Sequence, residues 1–224
     1  MARTVVPRAD SEVTRNKILD IAEKLFAAGG FDGVSMRQVG SEADVPFALV
    51  TYHFESKLGL YKAVFARRTT LLTTERIDRL RAIRLGRSMQ RNFLEIARSL
   101  VEPLVRVRAT EEGRTFARLL AREVNDPSGR GILQQYFDPI AHVTVEILRK
   151  AAPRAPVARV YWAYQFAVGA LANVNMGTGR VERISGGLCD SRNAAEVVEE
   201  LTHFIAGGFE SALCNRPSGK DADG

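Results

Sequence analysis

Between Phe47 and Lys57 the sequence concentrates side chains that can donate hydrogen bonds or fit against the edges of a groove. The Tyr52 hydroxyl and the His53 ring can donate to phosphate oxygens, and Thr51 can meet a base edge or a thymine methyl group. Phe47 can touch such a methyl group, and Lys57 adds a cation. This chemistry suits a polyanion, provided that the backbone presents these side chains on one surface.

Two short helices are predicted to provide that surface. Ser35, followed three residues later by Gln38, is typical of a capping box, in which the hydroxyl accepts a backbone N–H and the amide returns to Ser35. A helix should therefore begin directly after Ser35. The pattern breaks at Pro46, which suits the start of a second helix over Phe47–His53. Two short helices joined by a tight turn predict a helix-turn-helix at about residues 35–54.

A wider set of residues shares the order and spacing of a known family. These residues are Phe26, Gly30, Phe31, Ser35, Val39, Ala43, Val45, Tyr52, His53, Phe54, Ser56, Lys57 and Leu60. Over about residues 14–68 the chain resembles the DNA-binding domain of TetR-type (TetR/AcrR) transcriptional regulators. Three positions depart from the common pattern: Asp44 replaces a usual Gly, Pro46 a common Ser, and Thr51 a frequent aromatic residue. Because Asp tolerates a left-handed backbone, the departures affect base preference rather than the fold.

The resemblance implies that the second helix and its flanks face DNA. The residues implied in DNA contact are Ser35, Met36, Arg37, Phe47, Ala48, Thr51, Tyr52, His53 and Lys57. Arg37 has the reach to contact the DNA backbone or the minor groove, and Lys57 would contact a phosphate from the first turn of the next helix. Val50 and Phe54 are predicted to be core residues.

The composition is that of a soluble, mostly helical protein. Of the 224 residues 46% are hydrophobic and only 8 are Pro, and the formal net charge is +6. No apolar run approaches the ~20 residues of a membrane span, and the N-terminus lacks the apolar segment of a secretory signal. We therefore expect a cytoplasmic protein without a membrane partner. Cys189 and Cys214 lie far apart and are expected to be free thiols.

The positive charge is not concentrated at the helix-turn-helix. Residues 1–70 hold ten Lys and Arg against eight Asp and Glu, a net charge of +2. The run Arg76–Arg108 is richer in Arg, and either a solvated helix face or direct phosphate contact would explain it. Charge alone therefore does not locate the site.

Apolar periodicity indicates an all-α chain with two domains. The predicted parts are a flexible arm over residues 1–13, the DNA-binding domain over 14–68, a ligand-binding and dimerisation domain over 69–214, and a disordered tail over 215–224. Thr14 and Ser56 are expected to be N-caps, the latter of a long helix that runs towards Arg81. The further helices are expected over Ser88–Val107, from Thr110, over Gly131–Lys150 with a kink at Pro139, over Val157–Met176 and over Ala194–Leu213, with a loop at Gly177–Arg192.

The resemblance also implies a ligand pocket in the larger domain. Its candidate lining residues are Phe93, Phe116, Leu120, Tyr136, Phe137, His142, Trp162, Phe166 and Asn173. Each could instead be an ordinary core residue, but as a set they bring polar groups that need partners when buried. Phe116–Glu123, Trp162–Leu171 and Ser185–Leu188 are similar to the effector domains of TetR-like regulators tied to fatty-acid metabolism. A small hydrophobic effector, acyl or aromatic, is therefore expected.

Val157–Met176 is apolar nearly all round and must be covered on every side. We expect this helix and the last one to pair with their symmetry mates in a four-helix homodimer interface. The predicted interface residues are Val168, Leu171, Val197, Leu201, Phe204, Ile205 and Phe209. Two recognition helices would then read a pseudo-palindromic double-stranded operator in major grooves ~34 to 36 Å apart.

Motifs for catalysis or metal binding are absent from the sequence. His53, His142 and His203 form no HExxH, the glycines at 177 and 179 lack the strand of a dinucleotide loop, and there is no GxSxG. We therefore expect neither an enzyme nor a cofactor or metal site. A repressor released by a small hydrophobic ligand is the leading hypothesis. The alternative is a helical small-molecule-binding protein with a vestigial helix-turn-helix.

Overall fold

The structure is a computed structural model that describes residues 8–128 and 130–214. Every regular element in these ranges is a helix, which confirms the all-α prediction. The helices are α1 (Arg8–Gly29), α2 (Met36–Glu42), α3 (Phe47–Phe54), α4 (Lys57–Ala82), α5 (Met89–Val107), α6 (Glu111–Val124), α7 (Ile132–Tyr136), α8 (Asp138–Ala151), α9 (Val157–Met176), α10 (Arg180–Ile184) and α11 (Ala194–Cys214).

The first three helices and the start of α4 enclose a small apolar core. Phe26 on α1, Val39 on α2 and Val50 on α3 are completely buried in it. The rings of Phe26 and Tyr61 meet edge to face, with centroids 4.9 Å apart, so α4 also contributes. This core fixes the orientation of α2 and α3 relative to the rest of the chain.

Helix α1 begins earlier than the sequence predicts. Its first residue is Arg8, so Thr14 lies inside the helix and the N-cap predicted there is wrong. Residues 8–13 are helical and do not belong to a flexible arm. The apolar pattern could not show these turns, because a solvated helical turn needs only its backbone hydrogen bonds. Residues 1–7 of the predicted arm and the predicted tail, 215–224, lie outside the described residues.

Helix α4 joins the two halves of the molecule. It begins after Ser56, whose hydroxyl accepts the N–H of Gly59 at 3.0 Å, as predicted for an N-cap. Its 26 residues span roughly 39 Å. Leu60 and Phe65 are buried at its first half and Leu80 at its far end, so one helix belongs to both cores.

The larger domain packs α5 to α11 around the far half of α4. Helix α5 lies along α11, where the rings of Phe93 and Phe209 have centroids 6.2 Å apart. Helix α6 packs on both α1 and α9, and α8 packs on α4 and α9. Among the described helices none is long and apolar enough to cross a membrane. The contacts of α6 therefore link the small domain to the centre of the large one.

Two predicted elements of the larger domain are wrong. The single helix predicted over Gly131–Lys150 is two helices, because Pro139 occupies the first turn of α8, where a missing N–H costs nothing. The loop predicted over Gly177–Arg192 contains the short helix α10, which starts after Gly179 in a left-handed conformation with φ of 65°. Pro103 lies within α5, and the helix continues to Val107.

Candidate functional site

Helix α2 begins at its predicted cap but not with a complete capping box. The Ser35 hydroxyl accepts the N–H of Gln38 at 3.1 Å. The Gln38 amide donates to the Glu42 carboxylate at 3.1 Å, so the predicted return to Ser35 is wrong. A carboxylate one turn away is the stronger acceptor, because hydrogen bonds to charged groups exceed neutral ones. Ser35 is exposed, whereas Met36 is half-buried against the core.

The turn between α2 and α3 depends on two residues. Asp44 adopts a φ of 49°, the left-handed conformation predicted for it. The Val45 N–H then donates to the Gly40 carbonyl at 2.9 Å. A methyl group at Gly40 would lie 3.1 Å from the Val45 carbonyl oxygen and 3.3 Å from the Val50 side chain. Gly40 therefore permits the close approach of α2 and α3.

Helix α3 presents two chemically different faces. Val50 and Phe54 are buried, which confirms their prediction as core residues. Phe47 and Tyr52 expose 44% and 76% of their surfaces, and Ala48 is also exposed. The outer face thus offers an apolar ring, a methyl group and a phenol hydroxyl, which suit contacts to base edges and phosphates.

Thr51 and His53 are half-buried beside that face. The Thr51 hydroxyl donates to the Phe47 carbonyl at 2.7 Å, which leaves its oxygen as an acceptor. Burial, and then the charge of Arg15, lowers the pKa of His53 below its ordinary value of 6.5. The imidazole is therefore neutral at physiological pH and can donate a single N–H.

Arg15 is a site residue that the sequence analysis missed. It is exposed on α1, and its guanidinium carbon lies 5.3 Å from the centroid of the Phe54 ring. No motif marked it, because the packing of α1 across the helix-turn-helix brings it beside the end of α3. It adds a cation at the end of α3, close enough to His53 to lower the pKa of that residue.

The two predicted cations of the site rest on aromatic rings. The Lys57 ammonium lies 4.5 Å from the centroid of Phe31 and donates to the Asp32 carbonyl at 3.4 Å. The Arg37 guanidinium carbon lies 5.5 Å from the centroid of Phe47. Such cation–π contacts orient the charges without neutralising them, so both remain able to attract phosphate.

A partly buried polar network joins the small domain to α6. The Tyr61 hydroxyl donates to the Glu123 carboxylate at 2.8 Å, and Arg130 donates to the Asp32 carboxylate at 3.1 Å. The Arg130 guanidinium carbon lies 4.3 Å from the centroid of Phe31. Burial raises the pKa of Glu123, against the opposing effects of Tyr61 and Arg130. The network fixes the small domain against the larger one.

The larger domain contains a cavity of about 160 Å³ between α4, α6, α8 and α9. Two of the predicted ligand residues, Leu120 and Phe137, line it. Its polar lining residues are Arg76, Asp138, Tyr164, Gln165 and Asn175. Its apolar lining includes Leu104, Val124, Ile140, Val168 and Leu171. A mostly apolar cavity with few polar groups has the composition of a small-molecule site.

Three other predicted ligand residues are core residues and line no described cavity. Phe93 and Phe116 are completely or almost completely buried, and Phe116 packs 5.9 Å from the Phe65 ring. Tyr136 is partly buried, and its carbonyl accepts the Thr73 hydroxyl at 3.2 Å. Helical spacing shows that such residues face inward, but it cannot distinguish a filled core from a cavity wall.

The remaining predicted ligand residues lie on the surface. His142 is exposed, and Trp162 and Phe166 expose 62% and 68%. Asn173 lines a separate surface groove of about 450 Å³ beside α10 and α11. Their prediction as walls of an inner pocket is therefore wrong, because none of the described residues covers the outer side of α9.

Most of the predicted dimer residues are inside the chain. Leu171, Leu201, Ile205 and Phe209 are buried, and Val168 and Leu171 line the cavity. These five are corrected to core and cavity residues, because the apolar stripe of α11 packs on α5 of the same chain. Val197 is half-buried, whereas Phe204 exposes 71%.

The basic run Arg76–Arg108 is remote from α3. It begins roughly 30 Å along α4 from that helix's N-terminus. Arg79 forms ion pairs with Glu75 and Glu102, and Arg106 pairs with the same two carboxylates. These ion pairs and the distance from α3 support a structural role for the run, in which its arginines pair with carboxylates of the same chain, rather than a role in phosphate binding.

The cysteines and acidic residues do not form a metal centre in the part of the chain that the structure describes. Cys189 and Cys214 are free thiols, as predicted, and both are half-buried. Among the same residues no group of three His, Cys, Asp or Glu side chains is arranged to hold a metal ion.

Two family models match separate parts of the chain. The model for bacterial regulatory proteins of the tetR family matches residues 18–64, which contain α2, α3 and the start of α4. The model for the C-terminal domain of tetracyclin repressor-like proteins matches residues 98–208. The first match contains the exposed face of α3, and the second contains most of the cavity wall.

Individual proteins of known sequence or structure are also similar. The probable HTH-type transcriptional regulator YttP of Bacillus subtilis is 43% identical over 47 residues, which cover 21% of this chain and 23% of YttP. The HTH-type transcriptional regulator SrpR of Pseudomonas putida is 37% identical over 60 residues, 27% of this chain and 28% of SrpR. The chain thus matches about a quarter of the length of these curated relatives.

The crystal structure of NalD, the secondary repressor of the MexAB-OprM multidrug efflux pump in Pseudomonas aeruginosa, has the same fold. It superposes with a TM-score of 0.56 and 22% identity, over 90% of this chain and 98% of NalD. The likeness therefore includes both the small domain and the helical bundle.

Proposed function

The chain belongs to the TetR family of bacterial regulatory proteins, and on this premise we propose that it is a sequence-specific DNA-binding regulator of transcription. The observation that carries the proposal is the outer face of α3. Phe47, Ala48 and Tyr52 are exposed there, while Val50 and Phe54 anchor the helix from behind. These three side chains lie together on one exposed face of α3, and a contiguous exposed apolar patch is typical of a surface that binds a partner.

On DNA, α3 occupies the major groove with this face against the base edges. Phe47 and Ala48 meet thymine methyl groups, and the Tyr52 hydroxyl donates to a phosphate. Lys57, together with the first-turn amides of α4, holds a second phosphate, and Arg15 and Arg37 supply further charge. Because residues 1–70 carry a net charge of only +2, positioned donors contribute more than summed charge.

We propose that the regulator is a homodimer that pairs through the outer faces of α9 and α11. Trp162 and Phe166 stack there with ring centroids 5.8 Å apart, and Phe204 exposes 71% of its surface. The space beside Gly169 and Gly208 is open, so a second helix can approach closely. Two copies would bury these faces as a four-helix interface and place two α3 helices on the half-sites of a pseudo-palindrome.

Ligand control is the second part of the proposed function. We propose a cytoplasmic repressor, without enzymatic activity, that leaves its operator when a small hydrophobic molecule binds in the cavity. Arg76 and Leu120 place α4 and α6 in the cavity wall, and both helices also contact the small domain. A ligand that fits better when α3 is displaced lowers DNA affinity by its differential binding to the two states.

A titration of labelled DNA tests the DNA-binding function. The probe is a duplex from upstream of the protein's own gene, measured by gel shift beside a scrambled duplex of equal composition at moderate salt. We expect a preference for the upstream duplex of at least about a thousandfold, the lower range for specific regulators. Equal affinity for both duplexes would contradict the proposal. Ligand binding without any DNA binding would instead support a helical small-molecule-binding protein with a vestigial helix-turn-helix.

A further inference from the structure

Arg76 is a buried cation with no carboxylate partner among the residues that the structure describes. It lies on α4, exposes 5% of its surface and lines the cavity. Its Nε has no acceptor, and it forms neither a hydrogen bond nor an ion pair with any residue that the structure describes. Burial lowers the pKa of Arg76 to about 10, against an opposing electrostatic effect of Tyr164, which lines the same cavity. The guanidinium is therefore charged at neutral pH, and a neutral phenol does not supply its counter-charge. An uncompensated buried charge strongly destabilises a folded protein, so a partner is expected.

Arg130, whose side chain is also largely buried, is compensated differently. This side chain is 8% exposed and pairs with the carboxylates of Asp32, Glu123 and Asp126. One carboxylate, that of Asp138, also lines the cavity, but it forms no ion pair with Arg76. The contrast indicates that the counter-ion of Arg76 comes from outside the described chain.

A second polar group in the cavity also lacks a partner. Asn175 on α9 exposes 3% of its surface, and its side-chain oxygen accepts no hydrogen bond from the described residues. A water molecule could satisfy this amide, but it could not neutralise Arg76. The Arg76 guanidinium requires an anion, and the Asn175 side-chain oxygen requires a hydrogen-bond donor. A ligand with both an anionic group and a donor would satisfy both residues.

The volume and the apolar wall restrict that ligand further. Leu120, Val124, Phe137 and Ile140 favour an apolar body over a hydrated inorganic anion. At about 160 Å³ the cavity is close to the ~150 Å³ cavity that holds one benzene ring in another protein. A long acyl chain would exceed it, so a single ring is the better fit.

We propose that the cavity binds a small aromatic carboxylic acid, whose carboxylate pairs with Arg76 while its ring contacts the apolar wall. The inference rests on the proposed function, since it names the chemical class of the effector. Arg forms two parallel hydrogen bonds with a carboxylate, and such pairs are strong when shielded from water. Asn175 accepts from a ring hydroxyl or amine where the acid carries one.

Calorimetric titration of the full-length protein with matched ligands tests the charge requirement. The probes are benzoate, 4-hydroxybenzoate and acetate, with benzamide and 4-hydroxybenzamide as uncharged analogues of equal size. We expect each aromatic acid to bind roughly 10- to 100-fold more tightly than its amide, the usual effect of hydrogen bonds to a charged partner. Equal affinity of acid and amide, or no binding of either acid at millimolar concentration, would overturn the inference. Acetate binding as tightly as benzoate would overturn the aromatic part of it.

Substitutions of Arg76 test whether the ligand carboxylate binds to this residue. In Arg76→Met the preference for acid over amide should disappear, and Arg76→Lys should restore part of it. The control is Arg81→Met on the same helix, where Arg81 is exposed and its loss should leave the preference unchanged. We expect Arg76→Met to fold, because it removes an unpaired buried charge. If it did not, the comparison of acids with amides on the unsubstituted protein would still decide.

These titrations contain no DNA, so their outcome is independent of the proposed DNA binding. If the protein prefers its upstream duplex but binds acid and amide equally, the proposed DNA binding stands and the aromatic-acid ligand is rejected. If it prefers the acid but binds both duplexes equally, the aromatic-acid ligand stands and the proposed DNA binding is rejected.

Discussion

Tyr52 is the most exposed aromatic residue of α3, and none of its contacts explains the position of its hydroxyl. Its ring meets the His53 ring at a centroid distance of 5.3 Å, and 76% of its surface is accessible. The neighbouring Thr51 hydroxyl already donates to a carbonyl. At the residue scale, Tyr52 is therefore the neutral donor best placed for a phosphate.

Tyr52→Phe tests this donor, because it removes the hydroxyl and keeps the ring. We expect affinity for the operator to fall about tenfold, while the free energy of unfolding changes little, since the hydroxyl is solvated in the unbound protein. Fluorescence anisotropy and thermal denaturation measure the two quantities. Thr74→Ala on α4 also removes an exposed hydroxyl, far along that helix from α3, and is the control that should bind DNA normally. Unchanged affinity of Tyr52→Phe would remove the hydroxyl from the interface.

Lys57→Ala tests a contact of a different kind. The ammonium is held over Phe31 and pairs with no carboxylate of the described residues, so it remains available to a phosphate. Loss of one phosphate contact should weaken binding to all sequences and reduce the slope of log affinity against log salt by ~1. A salt series on operator and scrambled DNA measures it. Lys150→Ala, which removes an exposed lysine on α8, should leave the slope unchanged.

At the element scale, the helix-turn-helix depends on how closely α2 and α3 pack. Gly40 and the left-handed Asp44 together allow the Val45 N–H to reach the Gly40 carbonyl. The sequence predicted both the cap at Ser35 and the turn residue, because caps and turns depend on local chemistry. It did not predict Arg15 or the Tyr61–Glu123 hydrogen bond, since these join residues far apart in the chain.

The same distinction separates the correct from the incorrect helical predictions. Ser56 caps its helix as predicted, and Thr110, where a helix was predicted to start, is the N-cap of α6; each hydroxyl accepts an N–H three residues away. The pattern of apolar residues located α11 but could not say which partner its stripe would meet. It likewise treated Phe93 and Leu120 alike, although only Leu120 lines the cavity. Which residues border a void is decided by packing among several helices.

Gly40→Ala should change the position of α3 and thereby weaken DNA binding more than it lowers the stability of the fold. The added methyl would lie 3.1 Å from the Val45 carbonyl oxygen and 3.3 Å from the Val50 side chain. Such overpacking costs ~1–3 kcal/mol, whereas the higher helix propensity of Ala contributes up to ~1 kcal/mol in the opposite direction. We expect the free energy of unfolding to fall by about 1 kcal/mol and DNA affinity to fall by more than tenfold, because α3 must shift. Denaturant titration and anisotropy provide the measurements. Ser41→Ala, on the exposed side of α2, is the matched control; similar effects in both variants would contradict the role of Gly40.

At the scale of the whole molecule, the most apolar helix faces are buried within one chain, and the faces left exposed combine aromatic residues with glycines. Leu201, Ile205 and Phe209 pack within one chain, while Phe166 and Phe204 face outward beside open glycines. The predicted dimer helices are thus retained in the proposal, but the faces that pair differ from those predicted. Small and aromatic residues suit this role, since they allow two helices to approach and still bury area.

Phe166→Glu should separate the proposed dimer. A carboxylate placed in a buried helix–helix interface costs several kcal/mol, so sedimentation velocity should show a monomer where the unsubstituted protein is dimeric. Trp162, the single tryptophan, stacks on Phe166, and its emission gives a second measurement of the change. Leu71→Glu introduces the same charge at an exposed leucine on α4 and should remain dimeric. Dimers of unchanged affinity in Phe166→Glu would contradict the proposed interface.

The network of Tyr61, Glu123 and Arg130 has a consequence for chimeric biosensors. A cut between the two domains at residue 68 would divide this network, because Phe31, Asp32 and Tyr61 lie before the cut and Glu123 and Arg130 after it. If the larger domain were joined to a DNA-binding domain from another protein, these contacts would be lost unless Phe31, Asp32 and Tyr61 were transferred with it. The contacts between the two domains, more than the length of α4, therefore determine which residues a chimeric protein must retain.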